Sequence, residues 1–434
     1  MAAVNTPFVR RIRIRGYKSI AFCDVMLEPL TLFVGRNAAG KSNFLDAIGF
    51  LRDFMTTNLT QAAERHGGWS AIRHRYSPGN TIHFELDIEF SGSQISSGEQ
   101  SVPSIDPDRA YIARYALTLA MRNESEATIE RERVIVTDSD SECCFGFRFE
   151  DSTLSEGHSV RSDTESKCVF TPLQRLNPGS QSPAVSLCSV LDRYSFMIRA
   201  IGSMMDYRFS TDRIRRSVKS STGSFLERDG INLASVIRDT QTASPRTINR
   251  VAQFLGVLVP QIDRFEAVKC GEHETIRFWF HPSRSGQAEY FEASSVSDGT
   301  LRTLAALMAG YQTIPSVGAP TLVAIDEPET SLHPSSISAM IDAFDETTLR
   351  TQVILVTNSV EMLNNRDLHP KNVRVLQMVN GETRVGKVDP ASVEIYSARL
   401  NTLGGMERDN QLEIDEDDFE RQQRLREGTS EVSA

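Results

Sequence analysis

The sequence lacks any apolar run close to the roughly 18 residues that a membrane-spanning helix needs. Residues 1–8 also lack a basic segment followed by an apolar stretch, so no secretory signal is expected. The six cysteines form no C-x-x-C pair, which favours reduced thiols over a zinc site or disulfides. We therefore expect a cytoplasmic protein without a membrane partner.

Heptad repeats and longer internal repeats are also missing, which argues against a long coiled coil. The 434 residues are 40% hydrophobic and 24% charged, which is a globular composition. This length suffices for one large domain or two ordinary ones.

Negative charge predominates, with a formal net charge of −10. Residues 407–434 hold ten Asp or Glu and four Arg, so they contribute −6 and the other residues only −4. This balance excludes a protein that coats nucleic acid with a wholly basic surface. Three basic clusters could still contact a phosphate backbone, although solvated surface is the alternative for each. They are Arg10, Arg11, Arg13 and Arg15; Arg73 and Arg75; and Arg208, Arg213, Arg215, Arg216 and Lys219.

One octapeptide, residues 35–42, fits the phosphate-loop pattern G-x-x-x-x-G-K-[ST]. An apolar, β-branched run precedes it, and apolar residues recur at helical spacing after it. In that setting, Lys41 is expected to reach the β- and γ-phosphates and Ser42 to offer its hydroxyl to Mg²⁺. The predicted nucleotide-binding residues are Gly35, Arg36, Asn37, Ala38, Ala39, Gly40, Lys41, Ser42 and Asn43.

A second apolar strand, residues 321–325, ends in an acidic turn. A carboxylate at that end of a strand beside a phosphate loop can hold Mg²⁺, a role that we assign to Asp326. The adjacent Glu327 is placed to orient and deprotonate the attacking water. An ordinary acidic turn is the alternative, but the phosphate loop makes it the weaker one.

A serine-rich turn lies between these two motifs and opens an apolar helix. Its residues Ser297, Asp298 and Gly299 can bind an anion through a hydroxyl, a bare backbone N–H and the helix dipole. A simple N-cap is the alternative. The order favours the functional interpretation, because Asp326 follows Ser297 by 29 residues and Asn358 follows Asp326 by 32.

These motifs together resemble the ATP-binding-cassette ATPases of the SMC, RecF and OLD branch. Residues 35–42 correspond to Walker A, 297–299 to the signature turn, 321–327 to Walker B, 331–334 to the D-loop and 353–359 to the switch strand with its turn. Residues 8–20 and 229–234 are also similar to this branch. The resemblance covers about residues 8–90 and 225–380, and the middle of the chain only loosely.

The resemblance implies ATP and Mg²⁺ as cofactors and a homodimer that encloses two ATP molecules head to tail. Lys41 and Ser42 of one copy would then face Ser297 and Gly299 of the other. This chain departs from the family pattern at one position, because the family usually carries His in the switch turn and this chain has Asn358. A carboxamide donates hydrogen bonds but cannot carry charge or relay a proton. Slow hydrolysis is therefore expected.

The expected fold is α/β, a two-lobed ATPase head with a P-loop core sheet, a β-rich lobe and a helical insert. The predicted boundaries are 1–183 for Walker A and the β-rich lobe, 184–260 for the helical lobe, 261–400 for the signature, Walker B and switch, and 401–434 for a disordered acidic tail. Polar stretches at 91–108, 137–142, 151–166 and 177–182 are expected to be loops.

Two functions fit this sequence. The first is an ATPase whose ATP-driven dimer acts on DNA or on a partner nuclease or toxin, in antiphage defence or DNA repair. The second is a scaffold or sensor that binds ATP but hydrolyses it weakly. A transporter subunit is a distant third, because the insert is long and the signature lacks Gly-Gly-Gln. No nuclease activity is expected of this chain, since the acidic run at 415–418 has no flanking apolar strand.

Overall fold

The computed structural model describes residues 6–75, 80–95, 105–123, 126–138, 142–161, 166–175, 181–183, 194–281, 289–314, 317–365 and 367–431. The strands are β1 (Phe8–Tyr17), β2 (Ile20–Met26), β3 (Leu30–Val34), β4 (Thr81–Ser91), β5 (Ala110–Met121), β6 (Ala127–Asp138), β7 (Cys143–Glu150), β8 (Thr153–Arg161), β9 (Ser166–Arg175), β10 (Met204–Tyr207), β11 (Val218–Lys219), β12 (Ile262–Cys270), β13 (His273–Phe280), β14 (Glu289–Glu292), β15 (Leu322–Asp326), β16 (Gln352–Thr357), β17 (Val373–Val379) and β18 (Glu382–Lys387).

The α-helices are α1 (Lys41–Thr56), α2 (Leu59–Arg65), α3 (Trp69–Ile72), α4 (Gly92–Ile95), α5 (Ser195–Gly202), α6 (Thr211–Ile214), α7 (Leu233–Ala243), α8 (Pro245–Leu258), α9 (Asp298–Tyr311), α10 (Ile337–Thr347), α11 (Val360–Leu363), α12 (Pro390–Ser397), α13 (Leu403–Arg408) and α14 (Glu416–Glu431). Within the described ranges, none of them combines the length and apolar content that crossing a bilayer requires.

The core sheet has the strand order β10-β15-β16-β3-β17-β18, parallel except for β18. Successive residues of β15 enter different apolar cores. Leu322 and Ala324 pack on one face, and Val323 and Ile325 on the other. A parallel sheet must be covered on both faces, which explains the near-continuous apolar run that the sequence shows here. Because β15, β16 and β3 are parallel neighbours, the loops that follow them lie at the same edge of the sheet.

Two different layers cover this sheet. On one face, α1 and the antiparallel sheet β2-β1-β4-β5-β6-β7-β8-β9 share a core that includes Phe44, Phe50 and Phe84. On the other face, α7 to α10 pack through side chains such as Ile237, Leu304 and Met340. A smaller sheet of β11, β13, β12 and β14 adjoins this second core through Phe278.

The prediction of a loop at 151–166 is wrong, because β8 occupies Thr153–Arg161 and pairs antiparallel with β7 and β9. Its sequence TLSEGHSVR has little apolar alternation, so its strand state depends on pairing with neighbours rather than on pattern. The predicted loops at 91–108, 137–142 and 177–182 lie partly outside the described residues, and the first of them contains α4.

Residues 184–260, which we predicted to be a helical lobe, contain α5 to α8 but also the strands β10 and β11. Residues Met204–Tyr207 form β10, the strand beside β15 in the core sheet. At four residues this strand is too short to show a period. Residues 184–193 of the predicted helical lobe lie outside the described residues.

The expectation of a disordered acidic tail is wrong for the described part of 401–434. Helix α14 packs on β2 and β18 through Gln422, whose side chain is 2% exposed. Its oxygen accepts from the Asp24 N–H at 3.0 Å and its nitrogen donates to the Val385 carbonyl at 2.8 Å. The composition of this segment did not predict an ordered helix, because α14 packs on the sheet through polar side chains and has no broad apolar face.

Candidate functional site

The predicted phosphate loop lies between β3 and α1, where the carboxyl edge of the core sheet meets a helix N-terminus. Gly35 and Gly40 have φ values of 152° and 96°. A Cβ at Gly35 would collide with the Leu376 carbonyl, and one at Gly40 with the Thr383 side chain. Glycine is therefore required at both positions by backbone conformation and by close contact.

Lys41 occupies the position from which it can reach a phosphate. Its ammonium donates to the Gly35 carbonyl and, at 3.1 Å, to the Arg36 carbonyl, and the residue is 7% exposed. Burial lowers the pKa of Lys41, while the nearby Glu327 and Asp326 carboxylates oppose that shift. The loop thus holds a cation against carbonyl oxygens, which an incoming phosphate can replace.

Ser42 and Asp326 meet across the site, with the serine hydroxyl donating to Asp326 Oδ2 at 3.0 Å. The two residues lie 284 positions apart in the chain and adjoin because β15, β16 and β3 are parallel neighbours. A hydroxyl and a carboxylate are hard oxygen donors of the type that Mg²⁺ prefers. The donor set therefore fits the metal that the sequence predicts.

Glu327 follows β15 directly in a left-handed conformation, with φ of 47°. Its N–H donates to the Val356 carbonyl at 2.8 Å, which fixes its backbone against β16. Non-glycine residues seldom adopt this conformation, and such strain is concentrated at functional sites. The half-buried side chain lies beside Asp326 at the same edge of the sheet.

The turn after β16 touches the phosphate loop, because the Asn358 carboxamide donates to Asn37 Oδ1 at 2.9 Å. The preceding Thr357 hydroxyl donates to Glu329 Oε1. Burial raises the pKa of Glu329 to about 7, and the hydrogen bond from Thr357 opposes this. Sequence reasoning did not select Glu329, although it is the last residue of the acidic turn.

The signature turn caps α9, with Ser297 Oγ accepting from the Thr300 N–H at 3.3 Å. Asp298 pairs with Arg215, which lowers the pKa of the carboxyl. Gly299 packs so closely on Ser331 that a Cβ would lie 2.7 Å from its carbonyl oxygen. Ser297 is exposed, and within the described residues no hydrogen bond or ion pair joins this turn to residues 35–43.

A basic pocket of about 370 Å³ adjoins the phosphate loop at Asn43. Its lining includes Lys18, Ser19, Arg73 and Arg75. The Asn43 carboxamide donates to Ser19 Oγ at 2.7 Å, which connects the pocket to α1. Lys18 has a positive φ of 49° in the turn between β1 and β2.

Two of the basic clusters that could contact a phosphate backbone have other partners. Arg11 bonds Asp24 at 2.7 Å, and Arg13 bonds Glu85 at 3.1 Å, so the first cluster is largely neutralised by carboxylates of neighbouring strands. Arg208 does not lie with the others: it contacts Ser42 and Asp326 at the predicted metal site.

The C-terminal region also contributes to the site. Glu407, on α13, is half-buried, and burial raises its pKa while the positive charges of Lys41 and Arg36 oppose that shift. Helix α13 packs on α11, the helix that follows the switch turn. The residues expected to form a solvated tail thus lie close to the nucleotide-binding loop.

Comparisons with known proteins agree with this geometry. A family model described as "AAA ATPase domain" matches residues 8–165. A second, described as "AAA domain, putative AbiEii toxin, Type IV TA system", matches residues 206–364. The chain is 23% identical over 406 residues to the Old nuclease of Escherichia phage P2. That match covers 89% of this chain but only 62% of the relative's length.

Two solved structures share the fold. One is the SmcHead bound to the C-winged helix domain of ScpA, with a TM-score of 0.52 and 12% identity over 89% of this chain and 99% of that one. The other is the Smc head domain with an extended coiled coil bound to the C-terminal domain of ScpA derived from Pyrococcus furiosus. Its TM-score is 0.51, with 11% identity over 91% of this chain and 99% of that one.

The predicted two-lobed α/β architecture is thereby confirmed. The first family model spans the phosphate loop, and the second spans the acidic turn and the switch turn. Both family models describe ATPase domains and the fold is that of an Smc head, which supports the resemblance to ABC-type ATPases of the RecF, SMC and OLD group.

Proposed function

We propose that this chain binds ATP with Mg²⁺, hydrolyses it, and forms a homodimer that encloses two nucleotides. The observation that carries the proposal is the 3.0 Å bond between Ser42 and Asp326, with Lys41 and Glu327 adjoining them at the same sheet edge. Oxygen donors, a buried cation and a candidate base are the parts that phosphoryl transfer to water requires.

In this proposal, Lys41 exchanges its carbonyl partners for β- and γ-phosphate oxygens. Ser42 and Asp326 hold Mg²⁺, which neutralises phosphate charge when bound. Glu327 accepts a proton from the water that attacks the γ-phosphorus, and the bond to the ADP oxygen breaks to give ADP and phosphate. The exposed Ser297 and the adjacent Gly299 complete the site of the second copy, since among the described residues no hydrogen bond joins them to their own phosphate loop.

The output that we propose is a conformational switch in the cytoplasm, acting on DNA or on a partner nuclease or toxin, in antiphage defence or DNA repair. Similarity to a phage nuclease and to a model described with a toxin system supports a partner of that kind. The alternative, an ATP-dependent scaffold that hydrolyses weakly, is favoured by Asn358, whose neutral carboxamide bonds Asn37.

Calorimetry with ATP and Mg²⁺ tests nucleotide binding. Lys41→Ala should abolish measurable affinity, because it removes a buried cation from the phosphate site, whereas Lys269→Ala, at an exposed lysine on β12, should not change it. Affinity of Lys41→Ala within about twofold of wild type would refute the assignment.

Phosphate release and light scattering then separate the two functions. Glu327→Gln should retain ATP binding, lose turnover and prolong the ATP-dependent dimer, because the amide keeps the size but not the basicity of the carboxylate. Wild-type turnover well above that of Glu327→Gln supports the ATPase, and equal slow rates support the scaffold.

A further inference from the structure

Arg208 stands opposite the acidic turn because of strand register. In the parallel pair β10 and β15, Tyr207 is the partner of Ile325, so the next residues are Arg208 and Asp326. The backbone of Arg208 is fixed from the other side, since its N–H donates to the Arg228 carbonyl at 2.9 Å. The sheet itself therefore delivers an arginine to the metal-binding edge.

The guanidinium of Arg208 contacts both residues assigned to Mg²⁺. One terminal nitrogen donates to the Ser42 carbonyl, and Nε lies 3.6 Å from Asp326 Oδ2. That separation exceeds a hydrogen bond, and the buried Nε has no acceptor among the described residues. A charged donor in this state retains bonding capacity for a ligand.

Neighbouring arginines do not share this freedom. Arg228 bonds Asp206 at 2.8 Å and Asp46 at 3.1 Å, and Arg52 bonds the adjacent Asp53 at 2.6 Å. These carboxylates are buried, so removing either arginine's charge would take a counter-charge from a buried acid. The Arg208 side chain is 37% exposed, which leaves it room to rotate.

We propose that Arg208 is a phosphate-binding residue that neutralises Asp326 in the nucleotide-free protein and donates to the terminal phosphate of bound ATP. This inference rests on the proposed ATPase function. A divalent cation at Ser42 and Asp326 would repel the guanidinium, and the nearest anionic acceptors are then phosphate oxygens. Arg208 would supply in cis a positive charge that the neutral Asn358 lacks.

Calorimetry with ATP and ADP, each in Mg²⁺ and in EDTA, tests this assignment on wild type, Arg208→Met, Arg208→Lys and Arg216→Met. Methionine keeps length without charge, lysine keeps charge without the planar fork, and Arg216 is an exposed arginine of the same segment. Arg208→Met should lower ATP affinity about tenfold and ADP affinity less than about twofold. The loss for ATP should be smaller in EDTA, where no metal displaces the guanidinium from Asp326.

Arg208→Lys should recover part of the ATP affinity, and Arg216→Met should match wild type. Equal losses for ATP and ADP would overturn the proposal, since they indicate a structural role for Arg208. Unchanged ATP affinity in Arg208→Met would overturn it as well. If wild type binds no ATP at all, the proposed function itself fails and this inference with it, whereas ATP binding that depends on Lys41 but not on Arg208 refutes only the inference.

Discussion

The carboxamide of Asn358 donates to Oδ1 of Asn37 at 2.9 Å, so the switch turn is tied to the phosphate loop by a neutral hydrogen bond. Asn37 belongs to the predicted nucleotide-binding loop and Asn358 to the predicted switch turn. If Asn358 turns from Asn37 to a bound phosphate, it still donates only a neutral hydrogen bond. Any positive charge at that phosphate must therefore come from another residue.

Asn358→His should raise the ATPase rate by roughly fivefold, because an imidazole can gain positive charge as negative charge develops, and charged donors bond more strongly. Steady-state phosphate release for wild type, Asn358→His and Asn358→Ala measures this. In the competing interpretation, the Asn358 carboxamide already makes the phosphate contact and the site is adapted to it. A histidine variant as slow as the alanine variant would favour that interpretation.

Ser297→Arg should block the ATP-dependent dimer without weakening ATP binding by the monomer. Ser297 is exposed and its turn is held by Arg215 and Ser331, so an arginine there places bulk and charge at the proposed trans contact. Light scattering in the Glu327→Gln background gives the mass, with Gln241→Arg, at an exposed position on α7, as control. If the Ser297→Arg variant still forms the dimer, the signature turn does not lie in the dimer interface.

DNA binding, if present, should be weak and electrostatic. Of the third basic cluster, Arg208 faces the metal site, Arg213 pairs with Asp229 and Arg215 with Asp298. The exposed Arg216 and Lys219 are therefore the appropriate pair to reverse. The double change to Glu should weaken duplex binding and reduce the slope of log affinity against log salt by about two. If the double variant binds duplex DNA at low salt as tightly as wild type and an Arg399→Glu control, the cluster takes no part in DNA binding.

The parts of this site that sequence could predict are those with a local pattern. The phosphate loop and the acidic turn follow apolar strands long enough to recognise, and both strands are present. Arg208 could not be placed, because its strand β10 has only four residues and its role depends on register with β15. Glu407 likewise reaches the site through the packing of the short helix α13, which composition does not reveal.

Asp206 should make stability depend on pH. Burial raises its pKa from 3.8 to about 6, although Arg228, Arg52 and His66 oppose the shift. For a raised pKa, the stabilising protonated form is complete below 3.8 and is lost as pH rises through about 6. Between about pH 5 and about pH 8, wild type should thus lose roughly 1.4 kcal/mol that Asp206→Asn does not lose. Urea unfolding at both pH values measures this, and an equal change in both proteins would contradict it.

Gln422→Ala should destabilise the fold by roughly 2 kcal/mol, because it leaves the Asp24 N–H and the Val385 carbonyl without their side-chain partner in a buried place. Gln423→Ala is the matched control, since it makes the same deletion on the same helix at a partly exposed position. Urea unfolding at neutral pH should separate the two variants. If they unfold alike, α14 contributes little to stability, and the tail is a dispensable cover for β2 and β18 rather than part of the folded domain.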